Sequence, residues 1–330
     1  MTSEAITVLL PVYGRSMLLE PALSSVITQT CPHWRLLIAD DGSEIDTNSF
    51  IERWMSQHAD PRIRWIRRPQ NLGLFANLNQ AIEEAETAWV LLLCSDDLLL
   101  PSAIEKIEEL RVCWPESGLI LSTFDSINAD GSLRNADSAL HHDQVTRETN
   151  LLTPEIFVPA LLRLGSLNGN LTGMAFSRAL WRKAGPFQSD WRHAADWEWL
   201  VRASENGPLV LSRTPIAKVR THDNQLSNSN RRSGHELHEV AAVVEQLCRH
   251  PLLANQPQRQ RWAADVMQHQ LWNRLKQLLH QGPMPLVDGL KPIHKAAGLR
   301  ATALALLRSA PRRLQKYLSL GGSDGKPLAD

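Results

Sequence analysis

A short, fully apolar run in the first third of the chain limits the folds that this sequence can adopt. Residues 88–94 (AWVLLLC) are too short to span a membrane and are typical of a strand buried on both faces of a parallel sheet. Ser95, Asp96 and Asp97 follow, at the strand end where open α/β sheets bind their ligands. Neighbouring carboxylates suit a hard divalent cation that is shared with phosphate oxygens. A helix cap before a helix that begins near Pro101 explains the same residues.

Charge and cysteine content narrow the class of protein. The 330 residues include 35 basic and 35 acidic side chains, so we expect no nucleic-acid partner. The cysteines lie far apart without a CxxC pair, which argues against a zinc site and a disulfide framework and favours a reducing cytoplasm. We find no signal-peptide pattern and no apolar segment of the roughly 18 residues that a transmembrane helix needs. We therefore expect a soluble cytoplasmic protein, or one attached peripherally to the inner face of a membrane. The four cysteines are Cys31, Cys94, Cys113 and Cys248.

Strand-like and helix-like segments alternate through the first third of the chain. The expected strands are residues 6–13, 34–39, 62–67 and 88–94, and the expected helices follow residue 14, cover 71–84 and begin near 104. This order predicts an α/β fold with a mostly parallel sheet flanked by helices. Neither GxGxxG after the first strand nor GxxxxGK[ST] anywhere is present, which argues against dehydrogenases and P-loop proteins.

A second pair of carboxylates follows the second expected strand. Asp40 and Asp41 would lie at the same edge of the sheet as Asp96 and Asp97, because the carboxyl ends of parallel strands share an edge. One pair could hold a base or ribose while the other held a cation and diphosphate, since carboxylates accept hydrogen bonds from N–H and hydroxyl groups. A type I turn over residues 40–43 (DDGS) explains Asp40 and Asp41 equally well.

Four short motifs occur in the order and spacing of a known enzyme family. They are residues 10–14 (LPVYG), 39–43 (ADDGS), 71–73 (NLG) with Asn79, and 95–97 (SDD). Over roughly residues 5–225 the chain resembles the family 2 glycosyltransferases, inverting enzymes with the GT-A fold. The resemblance implies that Asp41 helps to line the nucleobase pocket and that Asp96 contacts the ribose. The donor-binding residues implied in this way are Pro11, Tyr13, Asp41, Asn71, Asp96 and Gly173.

The resemblance also implies a divalent cation, Mg²⁺ or Mn²⁺, held by Asp97. Many members of the family carry another Asp at the position of Cys94, and sulfur is a poor ligand for Mg²⁺. We therefore expect a further ligand from elsewhere. His222 lies in residues 220–227 (RTHDNQLS), which resemble the segment that folds over the diphosphate, and neutral imidazole is a common ligand. An ordinary surface histidine is the alternative.

The middle of the chain carries two further motifs. Residues 166–173 (SLNGNLTG) resemble the glycine-rich loop that lies under the donor sugar, whereas a plain tight loop is the alternative. Residues 195–202 (ADWEWLVR) resemble the acidic motif at a helix start, in which Asp196 matches the catalytic carboxylate. Such a group can accept the proton of the attacking hydroxyl. A helix cap is the alternative, and Ala195 replaces the Glu that is commonly adjacent.

Helical patterns dominate the last hundred residues. From Leu299 onwards, leucines near heptad spacing and several basic residues predict an amphipathic helix, which suits an anionic membrane surface, the core or a second subunit. We expect residues 1–125 to form the nucleotide-sugar-binding half and 126–230 the acceptor and catalytic half of a GT-A domain. Residues 231–330 are expected to form an α-helical C-terminal extension.

The expected function combines these elements. We expect an inverting glycosyltransferase that moves a sugar from a nucleoside diphosphate donor, most simply a UDP-linked one, to a saccharide or lipid-linked acceptor hydroxyl. Cell-surface polysaccharide or glycolipid synthesis would be its context. The alternatives are a sugar-nucleotide-binding protein without catalysis and a nucleotidyltransferase. The second is disfavoured because no Gly-rich, Lys-containing signature follows the first strand.

Overall fold

The computed structural model contains two compact units, Met1–Glu239 and Val240–Asp330. The residues that the structure describes are 4–14, 16–136, 142–167, 170–222, 225, 230, 235–281 and 284–320. The first unit is built on a ten-stranded sheet and the second consists of helices. The fold is thus a mixed, mostly parallel α/β sheet flanked by helices, as the sequence predicted.

The sheet has the strand order β3-β2-β1-β4-β9-β6-β10-β5, with β7 paired to β6 and β8 to β10. Its strands are β1 (Ile6–Val12), β2 (Trp34–Asp40), β3 (Ile63–Arg67), β4 (Trp89–Leu92), β5 (Leu98–Leu99), β6 (Leu119–Ile127), β7 (Leu133–Asn135), β8 (Asn150–Leu152), β9 (Met174–Ser177) and β10 (Leu209–Arg220). The helices of this unit are α1 (Ser16–Ile27), α2 (Ile45–Gln57), α3 (Leu74–Glu84), α4 (Ala103–Cys113), α5 (Pro154–Leu164), α6 (Arg178–Ala184) and α7 (Ala195–Ala203).

The first four strands form the expected parallel half of the sheet. β1 lies between β2 and β4 and pairs with both in parallel, and β2 pairs in parallel with β3 on its other side. All seven residues of β1 are buried, because the strand is central and helices cover the sheet. The carboxyl ends of β1, β2 and β4 therefore share one edge, to which they bring the residues that follow Val12, Asp40 and Leu92.

The second half of the sheet includes antiparallel pairs. β9 runs antiparallel to its neighbours β4 and β6, whereas β10 runs parallel to β6 with an irregularity between Ser212 and Ala217. The short β5 pairs antiparallel with the end of β10. Because β5 begins directly after Asp97, this pairing brings the end of β10 to the loop that follows β4.

Several elements differ from the expectation. The elements that the structure adds include α2, α5, β6 and the long β10. From the polar residues 125–154 we expect irregular structure, but this segment includes the end of β6, two short strands and a 3₁₀ turn at His142–Gln144, while residues 137–141 lie outside the described residues. Asn168 and Gly169 of the expected glycine-rich loop also lie outside them.

The second unit contains long helices, as expected. Its elements are the greater part of α8 (His235–Arg249), α9 (Arg259–Gln281), α10 (Met284–Ala297) and α11 (Leu299–Leu320). α9 packs against both α10 and α11. Leu304 and Leu307 of α11 are 48% and 68% exposed, and Arg308 pairs with Asp265 at 3.2 Å. Within the described residues, no helix is long and apolar enough to cross a membrane.

Candidate active site

Asp97 is the most deeply buried polar side chain of the loop that follows β4. Only 2% of its surface is exposed. Its Oδ1 accepts the backbone N–H of Arg220 at 2.8 Å, and its Oδ2 accepts the Thr172 hydroxyl at 2.5 Å and the Asn170 amide at 3.3 Å. Burial, reinforced by the neighbouring charge of Asp96, raises the pKa of Asp97 to about 7, although these hydrogen bonds oppose the shift. Asp97 therefore joins the loop to β10 and to the segment before β9.

Asp96 lies beside His222, which follows β10. Their side chains are mostly buried, and Asp96 Oδ2 lies 2.9 Å from His222 Nε2. Arg220 fixes this arrangement, because its Nε donates to the carbonyl oxygen of Asp96 at 3.0 Å. The same guanidinium donates to the carbonyl of Ala129 at 2.8 Å, in the turn after β6. The predicted residues Asp96, Asp97 and His222 thus come together at one end of β4 and β10.

The donor atoms of this cluster suit a divalent cation of the Mg²⁺ or Mn²⁺ type. Ligand atoms of Cys94, Asp96 and Asp97 lie within 4.8 Å of one another. In an octahedral shell with metal–ligand distances of about 2.1 Å, adjacent ligand atoms are about 3 Å apart, close to the 2.9 Å between Asp96 and His222. Cys94 contributes little, because burial raises the pKa of its thiol well above the ordinary value and so favours the protonated form. Both oxygens of Asp97 also accept hydrogen bonds, from the Thr172 hydroxyl and from the backbone N–H of Arg220.

The expected base-binding residues lie at the ends of β1 and β2. Pro11 is buried within β1, whereas Tyr13, the first residue after this strand, is 58% exposed. Asp41 is buried and accepts the backbone N–H groups of Leu72 at 2.8 Å and Gly73 at 2.9 Å. Burial raises its pKa, and these two hydrogen bonds lower it in part.

Gly42 lets the neighbouring loop approach Asp41 closely. Its φ is +73°, and a Cβ at this position would lie 2.6 Å from the carbonyl carbon of Gln70. Glycine is therefore required for steric and conformational reasons. The contact also fixes Asn71, which is exposed in the same loop, so the predicted Asp41 and Asn71 come together.

Gly173 lies next to the cluster rather than at a distance from it. Its N–H donates to the carbonyl of Leu92, the last residue of β4, at 3.1 Å, and its φ is +87°. The preceding Thr172 accepts the N–H of Cys94 at 3.0 Å and binds Asp97. The segment before β9 therefore lies along the loop that carries Asp96 and Asp97.

Asp196 lies in the first turn of α7 and is partly exposed. Among the described residues, hydrogen bonds to its carboxylate come from backbone N–H groups, its own and that of Trp197. Burial raises the pKa of Asp196; those N–H groups and the charge of His193 lower it in part, and the charge of Glu239 raises it further. A carboxylate that is held by backbone groups and reaches the surface can accept a proton from a bound hydroxyl.

Glu239 of α8 holds the loop that leads into α7. Its Oε1 accepts the N–H of Arg192 at 2.8 Å, and its Oε2 accepts those of His193 at 2.7 Å and Ala194 at 2.8 Å. Three charge-assisted hydrogen bonds from consecutive residues restrict the backbone directly before Asp196.

Sequence reasoning missed Glu239 and the partners of Asp97. Thr172 and Asn170 belong to the glycine-rich motif, and Arg220 stands two residues before His222, so a signal existed for these three. No sequence signal indicates Glu239, which lies in an ordinary amphipathic helix.

Comparison with known proteins agrees with this geometry. Residues 7–164 match the sequence profile of the family described as "Glycosyl transferase family 2". An uncharacterised protein of Sinorhizobium fredii, y4gI, is 30% identical over 203 residues, which are 61% of this chain and 20% of that protein. The Bacillus subtilis protein named "Putative teichuronic acid biosynthesis glycosyltransferase TuaG" is 28% identical over 148 residues, 44% of this chain and 58% of that protein. The chain thus spans less than two thirds of both relatives.

A solved structure shares the fold over almost the whole chain. The crystal structure of residues 1–349 of S. aureus TarS in complex with UDP-GlcNAc superposes with a TM-score of 0.67. The two sequences are 17% identical, and the match covers 95% of this chain and 86% of the other. Fold, motifs and family profile therefore agree: residues 7–164 match glycosyl transferase family 2, and the chain has a GT-A-like fold.

Proposed function

We propose that this protein is an inverting glycosyltransferase that transfers a sugar from a nucleoside diphosphate donor, UDP-linked, to an acceptor hydroxyl. The observation that carries the proposal is the cluster of Asp96, Asp97 and His222 at the ends of β4 and β10. It combines two carboxylates and an imidazole at the sheet edge where α/β proteins bind ligands. Such a group suits a cation and a diphosphate.

The base end of the donor would lie at the ends of β1 and β2. Asp41, Asn71 and the exposed ring of Tyr13 lie along this part of the edge, next to the cluster because β1 pairs with β4. TarS, whose structure holds UDP-GlcNAc, supports a UDP-linked donor. The name of TuaG supports a role in cell-surface polysaccharide synthesis, with a saccharide or lipid-linked acceptor.

A divalent cation, Mg²⁺ or Mn²⁺, would neutralise the diphosphate and so assist its departure. We assign His222 and Asp97 as its ligands, with Asp96 contributing from its position 2.9 Å from His222 while it also faces the ribose. Asp97 additionally aligns the loop through Thr172 and Arg220. Gly173 would let the backbone approach the donor sugar closely.

Asp196 acts as the general base in this proposal. The acceptor hydroxyl oxygen attacks the anomeric carbon and forms the new glycosidic bond, while the bond from that carbon to the diphosphate oxygen breaks. The diphosphate leaves with the bonding electron pair, and the hydroxyl proton passes to the Asp196 carboxylate. One displacement at the anomeric carbon inverts its configuration.

The tail helix supports peripheral membrane contact at the cytoplasmic face. Leu304 and Leu307 of α11 are exposed, and the residues from Arg308 onwards include several basic side chains without an acidic one as far as Leu320. Flotation with vesicles that contain anionic lipid tests this; binding should fall when both leucines are replaced by Ser. Equal flotation of the double variant would exclude α11 as the contact.

A donor panel tests the function directly. The purified chain is incubated with UDP-, GDP-, CDP- and dTDP-sugars, Mn²⁺ or Mg²⁺ and saccharide acceptors, and the nucleotide product is identified. Transfer should release a nucleoside diphosphate, require the cation and yield the inverted anomer by NMR. Release of pyrophosphate would indicate a nucleotidyltransferase. Donor binding without turnover by any pair would indicate a binding protein.

A further inference from the structure

A second cluster of metal-ligand atoms lies at the opposite edge of the parallel strands. Cys31 and His33 stand in the loop between α1 and β2, before β2 begins, whereas Asp41 follows its end. Glu108 lies on α4. The three side chains bring a thiol, an imidazole and a carboxylate together, with ligand atoms within 4.8 Å of one another.

The distances within this cluster are close to those of a tetrahedral shell. Cys31 Sγ lies 3.6 Å from His33 Nδ1 and 3.4 Å from Glu108 Oε2, and His33 Nδ1 lies 3.1 Å from Glu108 Oε1. With metal–sulfur distances of about 2.3 Å and metal–nitrogen or –oxygen distances of about 2.1 Å, ligand atoms of a tetrahedral zinc site are about 3.4–3.6 Å apart. Small side-chain rotations would therefore bring the Cys31 sulfur, the His33 nitrogen and one Glu108 oxygen around an ion.

The backbone around the cluster is held in place by bonds between the α1–β2 loop and the start of α4. The N–H of Thr30 donates to the carbonyl of Pro101 at 2.9 Å. The side chain of Gln29 donates to the carbonyl of Leu100 at 2.8 Å and accepts the N–H of Ile104 at 3.1 Å. The loop with Cys31 is thus fixed relative to α4 without help from the cluster, and such preorganisation favours metal binding.

The cysteine spacing argues against a zinc site built from cysteine pairs, but the folded chain brings one cysteine to ligands of other types, and we propose that Cys31, His33 and Glu108 bind a transition-metal ion of the zinc class. Sulfur and imidazole ligands select such ions over Mg²⁺, so this site differs in chemistry from the cluster at Asp96. His33 is 44% exposed, so water completes the coordination. The ion joins the α1–β2 loop to α4 and stabilises the first unit by mass action.

Cobalt(II) titration of the metal-free full chain tests the proposal. A bound thiolate gives a ligand-to-metal charge-transfer band, and Zn²⁺ should abolish it by displacing the cobalt, whereas Mg²⁺ should not. The band should disappear in Cys31→Ser and persist in the matched control Cys113→Ser, which removes an exposed thiol from the same helix α4. It should also persist in Asp96→Asn, which separates this site from the donor site.

Stability provides the second readout. Zn²⁺ should raise the thermal midpoint of the wild type and of Cys113→Ser, but not that of Cys31→Ser or His33→Gln. His33→Gln keeps the test valid if Cys31→Ser folds poorly, because His33 is largely at the surface. The proposal is wrong if the wild type shows no cobalt charge-transfer band, or if the band survives in both Cys31→Ser and His33→Gln. The three side chains would then form only a hydrogen-bonded cluster.

Discussion

Asp96 Oδ2 and His222 Nε2 lie 2.9 Å apart although 126 residues separate them in the sequence. If they share a cation, Asp96→Asn or His222→Ala should weaken Mn²⁺ binding at least about tenfold, the lower bound known for loss of residues that only support a ligand. Calorimetric titration in the presence of UDP measures this. Asp46→Asn, at an exposed position on α2, is the charge-matched control. Unchanged Mn²⁺ affinity in both site variants would contradict the assignment.

Asp97 allows a structural role to be separated from a role as ligand. Asp97→Ala leaves the Arg220 N–H, the Thr172 hydroxyl and the Asn170 amide without their shared acceptor. It should therefore lower the free energy of unfolding by about 1–3 kcal/mol even without cation or donor. Urea denaturation in EDTA measures this, with Asp96→Asn as the comparison. Wild-type stability of Asp97→Ala in EDTA, together with lost Mn²⁺ binding, would show that Asp97 acts as a ligand alone.

Asp41 should affect both donor binding and stability. An Asn at this position can accept only one of the two N–H groups of Leu72 and Gly73 with its oxygen, and its NH₂ group opposes the other. Asp41→Asn should cost about 1–3 kcal/mol in UDP-sugar binding, the range for an unpaired buried group, and should also lower the thermal midpoint. Ligand titration and calorimetry on one preparation measure both. A normal donor dissociation constant would exclude Asp41 from base recognition.

Asp196→Asn should separate catalysis from binding. We expect donor and cation binding to persist and kcat to fall by roughly 10²–10⁴, the contribution of a positioned base. Ala194, not Asp196, is the N-cap of α7, and an Asn side chain can still accept the backbone N–H groups with its amide oxygen, so the thermal midpoint should change little. Donor affinity, thermal midpoint and turnover are measured on the same variant. Wild-type turnover would show that Asp196 serves only as part of the helix start.

Glu239 should position Asp196 and tune its pKa. A base works when deprotonated, so kcat/KM should rise with pH through a pKa above the usual value for Asp, about 3.9. Glu239→Gln removes a charge that raises the pKa of Asp196. The acidic limb of the plot of kcat/KM against pH should therefore move to lower pH. Its amide also opposes one of the loop N–H groups, so kcat should fall by roughly 10–100-fold.

The control for Glu239 is Glu205→Gln, at an exposed position just after α7. It should leave the pH–rate profile and kcat unchanged. The charge of His193 lowers the Asp196 pKa, so His193→Ala should move the acidic limb in the opposite direction. A Glu239→Gln enzyme with reduced kcat but an unmoved limb would limit Glu239 to a structural role.

The sequence predicted the four strands of the parallel half of the sheet. β1, β2 and β4 are short apolar runs because both faces of the sheet are covered, and their ends correctly indicated a shared edge. β10 was missed because Pro215 and the polar residues 212–214 interrupt it at the register shift. α2 was missed because its buried face includes Thr47 and Asn48 as well as apolar residues, which weakens the helical period.

Which side chains bond to Asp97 depends on the order of the strands in the sheet. The local sequence pattern does not encode that order. Thr172 precedes β9 and Arg220 ends β10, and these strands lie beside β4 and β5 only because the sheet is mixed. Their bonds to Asp97 join residues 75 and 123 positions apart. The resemblance to a family suggested the neighbourhood of these segments, but only the folded chain shows which side chains meet.

The pairing of β5 with the end of β10 has a consequence for the order of events during synthesis. β10 and His222 leave the ribosome long after the loop with Asp96, which precedes His222 by 126 residues. Because domains fold as they emerge, the strands that carry Asp41 can associate early, while Asp97 still lacks Arg220 as a partner. The diphosphate end of the site therefore matures later than the nucleobase end, and a nascent chain that has not yet extended past His222 should be unable to bind a donor and its cation together.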